Sequence, residues 1–562
     1  MTRLQPVSSG WTLLVCLVFV LGCGGDATDD SPSPSSDPRI WFHETASESG
    51  LGFRHASGFD GRPLFPEIMS GGVALVDVDN DGDLDLYVIQ GGDLRAGPSP
   101  DVANVLYEND GSGRFTSRPS AGVEDPGYGM GVAAGDYDND GDVDLYVTNL
   151  RRNRLFRNDG NWSFIDVTDE SGVGGESWST SASFVDYDRD GHLDLYVANY
   201  IRWSQRSEEE CYNPAGQIDY CHPTHYRTPA ADQLYRNRGD GTFLDVSQAV
   251  GLGVVYGSGM GVLPDDFDGD GLTDILVAND SMANQLWIGQ ADGTFLDEAL
   301  IRGCALDEHG TARAGMGIAV TDLDEDLDPD FLVVNMEAQP DSLFRNEGLF
   351  LMDATGEAGL SADSRRFTRF GVGFEDFDND GLPDLFQSTG KVISSTIRDG
   401  DPYAEPNALW RGLPGGRFEL VDPIGGTPEP VVATGRAAAF GDVDGDGGVD
   451  VVVVNRDGPI HLFKNVRGSR GNWVSFEVRD AGRYALGATI TLSLGDRRIY
   501  RTVRRDGSYC SSNDPRVHLG LGSHDHVEDV TIRWLDGQAE SFDVGGVNRV
   551  VRLDRGNGTP NR

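Results

Sequence analysis

Residues 129–149 read G129-M-G-V-A-A-G-D136-Y-D-N-D-G-D-V-D144-L-Y-V-T-N149: a small-residue run, a nine-residue aspartate loop and an apolar run. Aspartates at loop positions 1, 3, 5 and 9 alternate along a tightly turned backbone and are expected to converge on one point. Calcium, which takes six to eight hard oxygen ligands, needs such a set. Glycine at position 6 supplies a turn with φ > 0. Position 7 contributes only its carbonyl, as in EF-hand loops. An EF-hand itself is excluded, because position 12 is Val147 and the flanking sequence is β-rich. The loop therefore joins two strands.

The pattern occurs seven times. The loops hold Asp77, Asp79, Asp81 and Asp85; Asp136, Asp138, Asp140 and Asp144; Asp186, Asp188, Asp190 and Asp194; Asp266, Asp268, Asp270 and Asp274; Asp322, Asp324, Asp326 and Asp330; Asp376, Asp378, Asp380 and Asp384; and Asp442, Asp444, Asp446 and Asp450. Successive loops start 59, 50, 80, 56, 54 and 66 residues apart. Seven copies at that period indicate a propeller or an array. Behind each apolar strand stands a second signature, such as L106-Y-E-N-D-G-S-G-R-F115 and L234-Y-R-N-R-G-D-G-T-F243. It reads as a hairpin of an aromatic-bearing strand, an Asn/Gly/Asp turn and a strand carrying Phe. One unit is thus four strands, A to D, which is a propeller blade. Gly129, Gly131, Gly259, Gly261, Gly315, Gly317, Gly371 and Gly373 lie in A strands, where small residues let backbones crowd around a central channel.

Aspartates are also good turn residues. Two carboxylates about 5 Å apart, however, repel by about 3 kcal/mol at an effective dielectric of ~20, and four in one closed turn call for a cation. The expectation is calcium in up to seven sites. Leu327 stands at position 6 of the fifth loop, so the site at Asp322–Asp330 is expected to be the weakest. The seventh repeat lacks a D strand, while W41-F-H-E-T-A-S-E-S-G-L51 matches F164-I-D-V-T-D-E-S-G-V173 in pattern. Residues 40–53 should therefore complete the last blade and remove an exposed edge. The propeller is expected over residues 39–467.

The aspartate loops resemble the FG-GAP/VCBS repeats of integrin-alpha-type propellers. Beyond them lie A485-L-G-A-T-I-T-L492, G507-S-Y-C-S511, H518-L-G-L-G522 and V530-T-I-R-W-L-D-G537. This segment looks like the ASPIC/UnbV domain that follows such repeats in the cartilage acidic protein family. Leu535-Asp536 departs from the family's usual Trp-Pro-x-Gly and bears on the turn. Read from its residues alone, 470–554 carries six or seven short alternating strands and no helical period, a small β-sandwich. Residues 555–562 read as a disordered tail. The fold class is all-β, a seven-bladed integrin-alpha-like propeller followed by a small β-sandwich. The resemblance implies an extracellular, calcium-binding, adhesion- or matrix-like protein and no catalytic residues.

The ends and the charge set the compartment. Trp11 to Gly22 is an apolar run of twelve, too short to span a bilayer and fitting a signal-peptide core over residues 1–22. Val20-Leu21-Gly22-Cys23 resembles a bacterial lipobox, with Cys23 lipidated and residues 23–38 a flexible tether. The expected location is the cell envelope, on the periplasmic face or the outer-membrane surface, with membrane contact through the lipid alone. The 562-residue chain has 45 Lys+Arg against 91 Asp+Glu, a net charge of −46, which excludes nucleic-acid binding. In an oxidising compartment Cys211 and Cys221 are expected to bond. A zinc site of Cys211, Cys221, His222 and His225 is the alternative. Cys304 and Cys510 pair or stay free.

Two functions are compatible with these features. The first is a binding, adhesion or scaffold module for a glycan or protein partner. The insertion at residues 200–232 carries the candidate ligand-binding residues Trp203, Tyr212, Tyr220, His225, Tyr226 and Arg227. Equally, those residues decorate and pack on their own blades. The second is a polysaccharide lyase or hydrolase using His225, Tyr226 and Arg227. Neither H-E-x-x-H nor G-x-S-x-G occurs, and non-enzymatic binding is the expectation.

Overall fold

The computed structural model describes residues 37–394, 400–468 and 471–561. The signal segment, Cys23 and most of the tether lie outside the described residues. Seven sheets follow one another, six of four antiparallel strands and one of five. Their innermost strands are Val73–Val76, Gly129–Gly135, Ser179–Val185, Gly259–Asp265, Ile318–Thr321, Arg369–Glu375 and Gly435–Gly441. Each packs on the next, and the seventh packs on the first, so the ring is closed. B strands such as Asp144–Asn149 are buried along their whole length, since neighbouring blades cover both faces. That is why they read as unbroken apolar runs with little alternation. The three-residue D strands bury only their first residue, the recurring Phe, as in Phe164–Asp166.

The N-terminal segment closes the ring as its pattern indicates. Phe42–Glu44 pairs antiparallel with the C strand of blade seven, Phe42 opposite Asn465. The Phe42 ring is fully buried and meets Phe377 edge-on at 5.2 Å. The seventh blade thereby gains its outer strand, and its edge is covered.

The C-terminal domain is a sandwich of two sheets. One contains Asn472–Asp480, Arg483–Tyr484, Val517–Gly522 and Arg549–Asp554, and the other Thr489–Leu494, Arg497–Thr502, Glu528–Arg533, Ala539–Phe542 and Thr559–Pro560. Val474, Phe476, Ile490, Ile532 and Trp534 are among the residues of its core. The turn after Trp534 closes without proline: Gly537 stands at φ +81 and its N–H donates to the Trp534 carbonyl. The expectation of a disordered tail at 555–562 is corrected. Thr559–Pro560 pairs with Ala539–Phe542, and the Glu540 carboxylate accepts the N–H groups of Gly556 and Gly558. Those buried-acceptor contacts fix a segment whose composition shows no strand period.

A loop of the sandwich fills the propeller channel. Ser511–Ser512 adds a parallel fifth strand to Val73–Val76 of blade one. Ile318 of blade five exchanges two backbone hydrogen bonds with Ser508, at 3.0 and 2.7 Å. Val372 of blade six donates to Ser508 Oγ, and Ser508 Oγ donates to the Ala438 carbonyl of blade seven. Ser181 Oγ of blade three accepts from the Cys510 N–H, and Val132 N–H of blade two donates to the Cys510 carbonyl. The A-strand glycines thus serve this loop as well as strand crowding: a Cβ on Gly131 would lie 3.0 Å from Cys510 Cα and 2.8 Å from the Thr180 carbonyl oxygen.

Candidate metal centres

All seven aspartate loops share one hydrogen-bond scheme. The position 1 carboxylate accepts the N–H of position 6, as in Asp77 with Gly82 at 3.1 Å. The position 9 carboxylate is held at both oxygens. One accepts the N–H of position 2, and the other accepts the N–H of the last C-strand residue, as Asp85 does from Val78 and Asn109. Left-handed backbone occurs at two positions. Position 6 runs from φ +79 at Leu327 to +98 at Gly82 and Gly141. Position 4 is left-handed too, taken by Asn80, Asn139, Arg189, Gly269, Glu325, Asn379 and Gly445. The Asn and Gly preference there carried that information in the sequence.

Carboxylate oxygens from positions 1, 3 and 9 lie within 4.8 Å of one another in the loops beginning at Asp77, Asp136, Asp186, Asp266 and Asp322, and two further acidic groups of this kind exist. Position 5 stands outside those triads, which corrects the expectation that four aspartates converge. Its Oδ1 is drawn to the N–H of position 7, as in Asp140 with Asp142 at 2.9 Å. Burial, with neighbouring carboxylates adding to it, pushes the position 9 acids up: Asp85, Asp194 and Asp274 to about 8 and Asp330 to about 7. Oδ1 of Asp77, Asp138, Asp266, Asp378 and Asp444 is buried without a hydrogen-bond partner. Buried anionic oxygens left bare in this way, inside all-oxygen triads, fit a hard divalent cation.

Leu327 keeps the loop conformation of the glycines at φ +79, and its N–H makes the same bond to Asp322. A β-carbon in the left-handed region costs about 1–2 kcal/mol, partly offset by the greater unfolded-state freedom of glycine. Leu327→Gly is therefore expected to raise stability by roughly 0.5–1 kcal/mol, read from denaturant unfolding. A lowered midpoint would show that the leucine side chain is required there.

A further contact escaped the sequence. The Asn ending a C strand donates its side-chain amide to the preceding blade: Asn158 to the Val78 carbonyl, Asn237 to Tyr137, Asn346 to Phe267, Asn465 to Phe377 and Asn109 to Val443. These amides tie position 2 of one aspartate loop to the next blade. Gly289 and Gly412 hold the corresponding places in blades four and six and lack the amide.

The insertion at residues 200–232 caps the channel at the end away from these loops. Cys211 and Cys221 are bonded to each other, which removes them as zinc ligands; Cys304 and Cys510 are free and buried. Tyr220 and Tyr226 are corrected from ligand-facing to packing residues. Tyr220 is 3 % exposed, with its hydroxyl donating to Glu67. Tyr226 stacks on Phe65 at 4.8 Å and donates to Glu208. Burial and then Glu208 hold its hydroxyl far above the usual tyrosine range. Asp219 accepts from Ser394 and Tyr403, tying the cap to blade six. Trp203 is half-buried, while Tyr212, His225 and Arg227 are exposed. The structure therefore does not bring the six candidates into one pocket. Among the described residues, the sandwich loop occupies the channel from one end and this cap packs over the other.

The FG-GAP-like repeat model matches residues 77–147, 136–197, 266–333 and 376–453, and the ASPIC and UnbV model matches residues 479–560. Cartilage acidic protein 1 of Xenopus tropicalis is 26 % identical over 525 residues, covering 87 % of this chain and 74 % of that protein. The Homo sapiens protein of the same name is 27 % identical over 514 residues, covering 87 % and 72 %. Among solved structures, the BP39L lectin from Burkholderia pseudomallei superposes with a TM-score of 0.39 at 11 % identity, covering 71 % of this chain and 97 % of that one. The chain carries FG-GAP-like repeats followed by an ASPIC and UnbV domain and is a homologue of cartilage acidic protein 1.

Proposed function

We propose that this propeller is a calcium-loaded binding or scaffold module of the cell envelope, anchored through Cys23 and presenting its outer surfaces to a glycan or protein partner. The observation that carries the calcium assignment is the repeated triad with bare, buried carboxylate oxygens. Positions 1, 3 and 9 would hold the ion, with position 9 also locking the loop to the C strand. A channel occupied from both ends leaves the faces and rim as the recognition surfaces, where propellers carry their variable loops. The lyase or hydrolase alternative loses Tyr226 as a base, because its hydroxyl is buried on Glu208. Glycan and secreted-protein arrays probed with the purified ectodomain in calcium test the reading, with mass spectrometry of the native N-terminal peptide testing the lipid. Specific capture is expected. No capture, together with reproducible glycan cleavage by the same preparation, would overturn it.

A further inference from the structure

A groove on the face away from the aspartate loops combines an aromatic wall with a cationic end. Residues 91–98 of blade one, 125–128 and 149–154 of blade two, and Trp203 and Gln205 of the insertion enclose about 250 Å³. Gln205 donates its amide to the Leu94 carbonyl and closes one side. Trp203 is held rigid: its indole N–H donates to Glu208 at 2.7 Å and its ring meets Trp178 edge-on at 6.3 Å. Three arginines, Arg151, Arg152 and Arg154, line the same groove together with two carboxylates, Asp125, which Arg154 meets at 3.7 Å, and Asp93, whose Oδ1 accepts the N–H groups of Arg95 and Ala96.

Arg151 is the informative one. Seven residues past position 9 of the aspartate loop, its backbone stands at φ +90. The same offset holds Gly92, Ser281 and Asp457, all left-handed. At this offset, blade two alone puts a long cationic side chain on backbone that favours glycine, against a strain of about 1–2 kcal/mol. Among the described residues its guanidinium has no ion-pair partner. Arg152, by contrast, pairs with Asp169, and Arg154 pairs with Asp166 at 2.9 Å. Arg202 and Arg206 flank Trp203 in the chain and, among the described residues, likewise form no ion pair.

We infer that this groove binds an acidic saccharide, the indole of Trp203 covering a pyranose face and Arg151 meeting the uronate carboxylate. A rigid, half-buried aromatic beside an unpaired guanidinium matches a ring bearing a carboxylate. A volume of this size holds one or two sugar rings, with the rest of a longer chain lying outside it.

The inference rests on the binding-module reading, and its test separates the two. Titration calorimetry with trigalacturonate is run on the full ectodomain in calcium, beside maltotriose and a short poly-glutamate peptide. Binding of trigalacturonate alone is expected. Trp203→Ala and Arg151→Gly should each weaken it by about tenfold, and raising salt from 0.15 to 0.5 M should weaken it further by screening. Arg151→Gly relieves the left-handed backbone, so its folding is secure even where Trp203→Ala disturbs the cap. Equal affinity for maltotriose, tighter binding of poly-glutamate, or indifference to both substitutions would each overturn the groove assignment. Absence of trigalacturonate binding would do the same, while array ligands whose capture ignores Arg151 would leave the module reading standing.

Discussion

Chelation is expected to lower the melting temperature by about 15 °C, with calcium restoring it more fully than magnesium. An ion present at 100 times its dissociation constant contributes about 2.7 kcal/mol. Seven such sites together exceed the whole margin of roughly 5–15 kcal/mol that keeps a typical domain folded. Spread over a body of this size, that corresponds to a shift of about 15 °C. Two properties of the loops set the direction. Oxygens of three carboxylates sit within 4.8 Å in each triad, and several are buried and bare. Without a metal ion their repulsion is met only in part, by Arg302 on Asp268, Arg467 on Asp378 and Lys464 on Asp444, and burial drives position 9 toward the protonated form. Filling seven sites would also take the net charge of the full chain from −46 to −32 and relieve long-range repulsion. Magnesium demands a small octahedral shell and gives up its water reluctantly, so it should substitute poorly. Asp138→Ala removes an oxygen that has no other partner and should lower the bound calcium by one ion, measured by elemental analysis. A melting curve indifferent to EDTA, with no metal found, would reduce the loops to turns.

Gly131→Val should destabilise the protein by several kcal/mol and loosen the C-terminal domain from the ring at the same time. The added side chain would begin 2.8 Å from the Thr180 carbonyl oxygen and 2.9 Å from Cys510 Cβ, inside a channel with no free space there. Overpacking a well-filled core typically costs about 1–3 kcal/mol. Displacing the loop adds to that, because the N–H groups of Val132, Ile318 and Val372 lose their acceptors. Each buried donor left unpaired costs about 1–3 kcal/mol. Wild-type protein should melt in one transition, and the variant should show two or expose the loop to proteolysis near Tyr509. A variant with wild-type stability and a single transition would mean that the loop is a passenger in the channel.

These two predictions draw unequally on the sequence. The aspartate periodicity exposed the loops, the blade count and the four-strand unit because each repeat presents the same local chemistry. Ring closure was legible because Phe42–Glu44 copies the D-strand pattern that blade seven lacks. The channel-filling loop was not. Residues 504–516 are polar and turn-like, and their partners lie on inner strands up to 438 residues away, as with Val73 and Ser511. Nothing in a local period reports such a contact. The gathering of positions 1, 3 and 9 without position 5 was not legible, because spacing shows which carboxylates alternate, not which one a nearby N–H captures. Tyr220 and Tyr226 were read as recognition residues on composition. Their burial depends on Phe65, Glu67 and Tyr403, which belong to distant blades.

The pairing of Phe42 with Asn465 also orders events during biosynthesis. The strand made first waits for a partner 423 residues later, and Ser511 reaches Val73 later still. Until then the growing chain is an open arc of blades with apolar edges at both ends and an empty axle. Pairing over such separations is slow and leaves edges available to neighbouring chains. Truncations that stop short of residue 465 should therefore aggregate as arcs rather than fold as smaller rings.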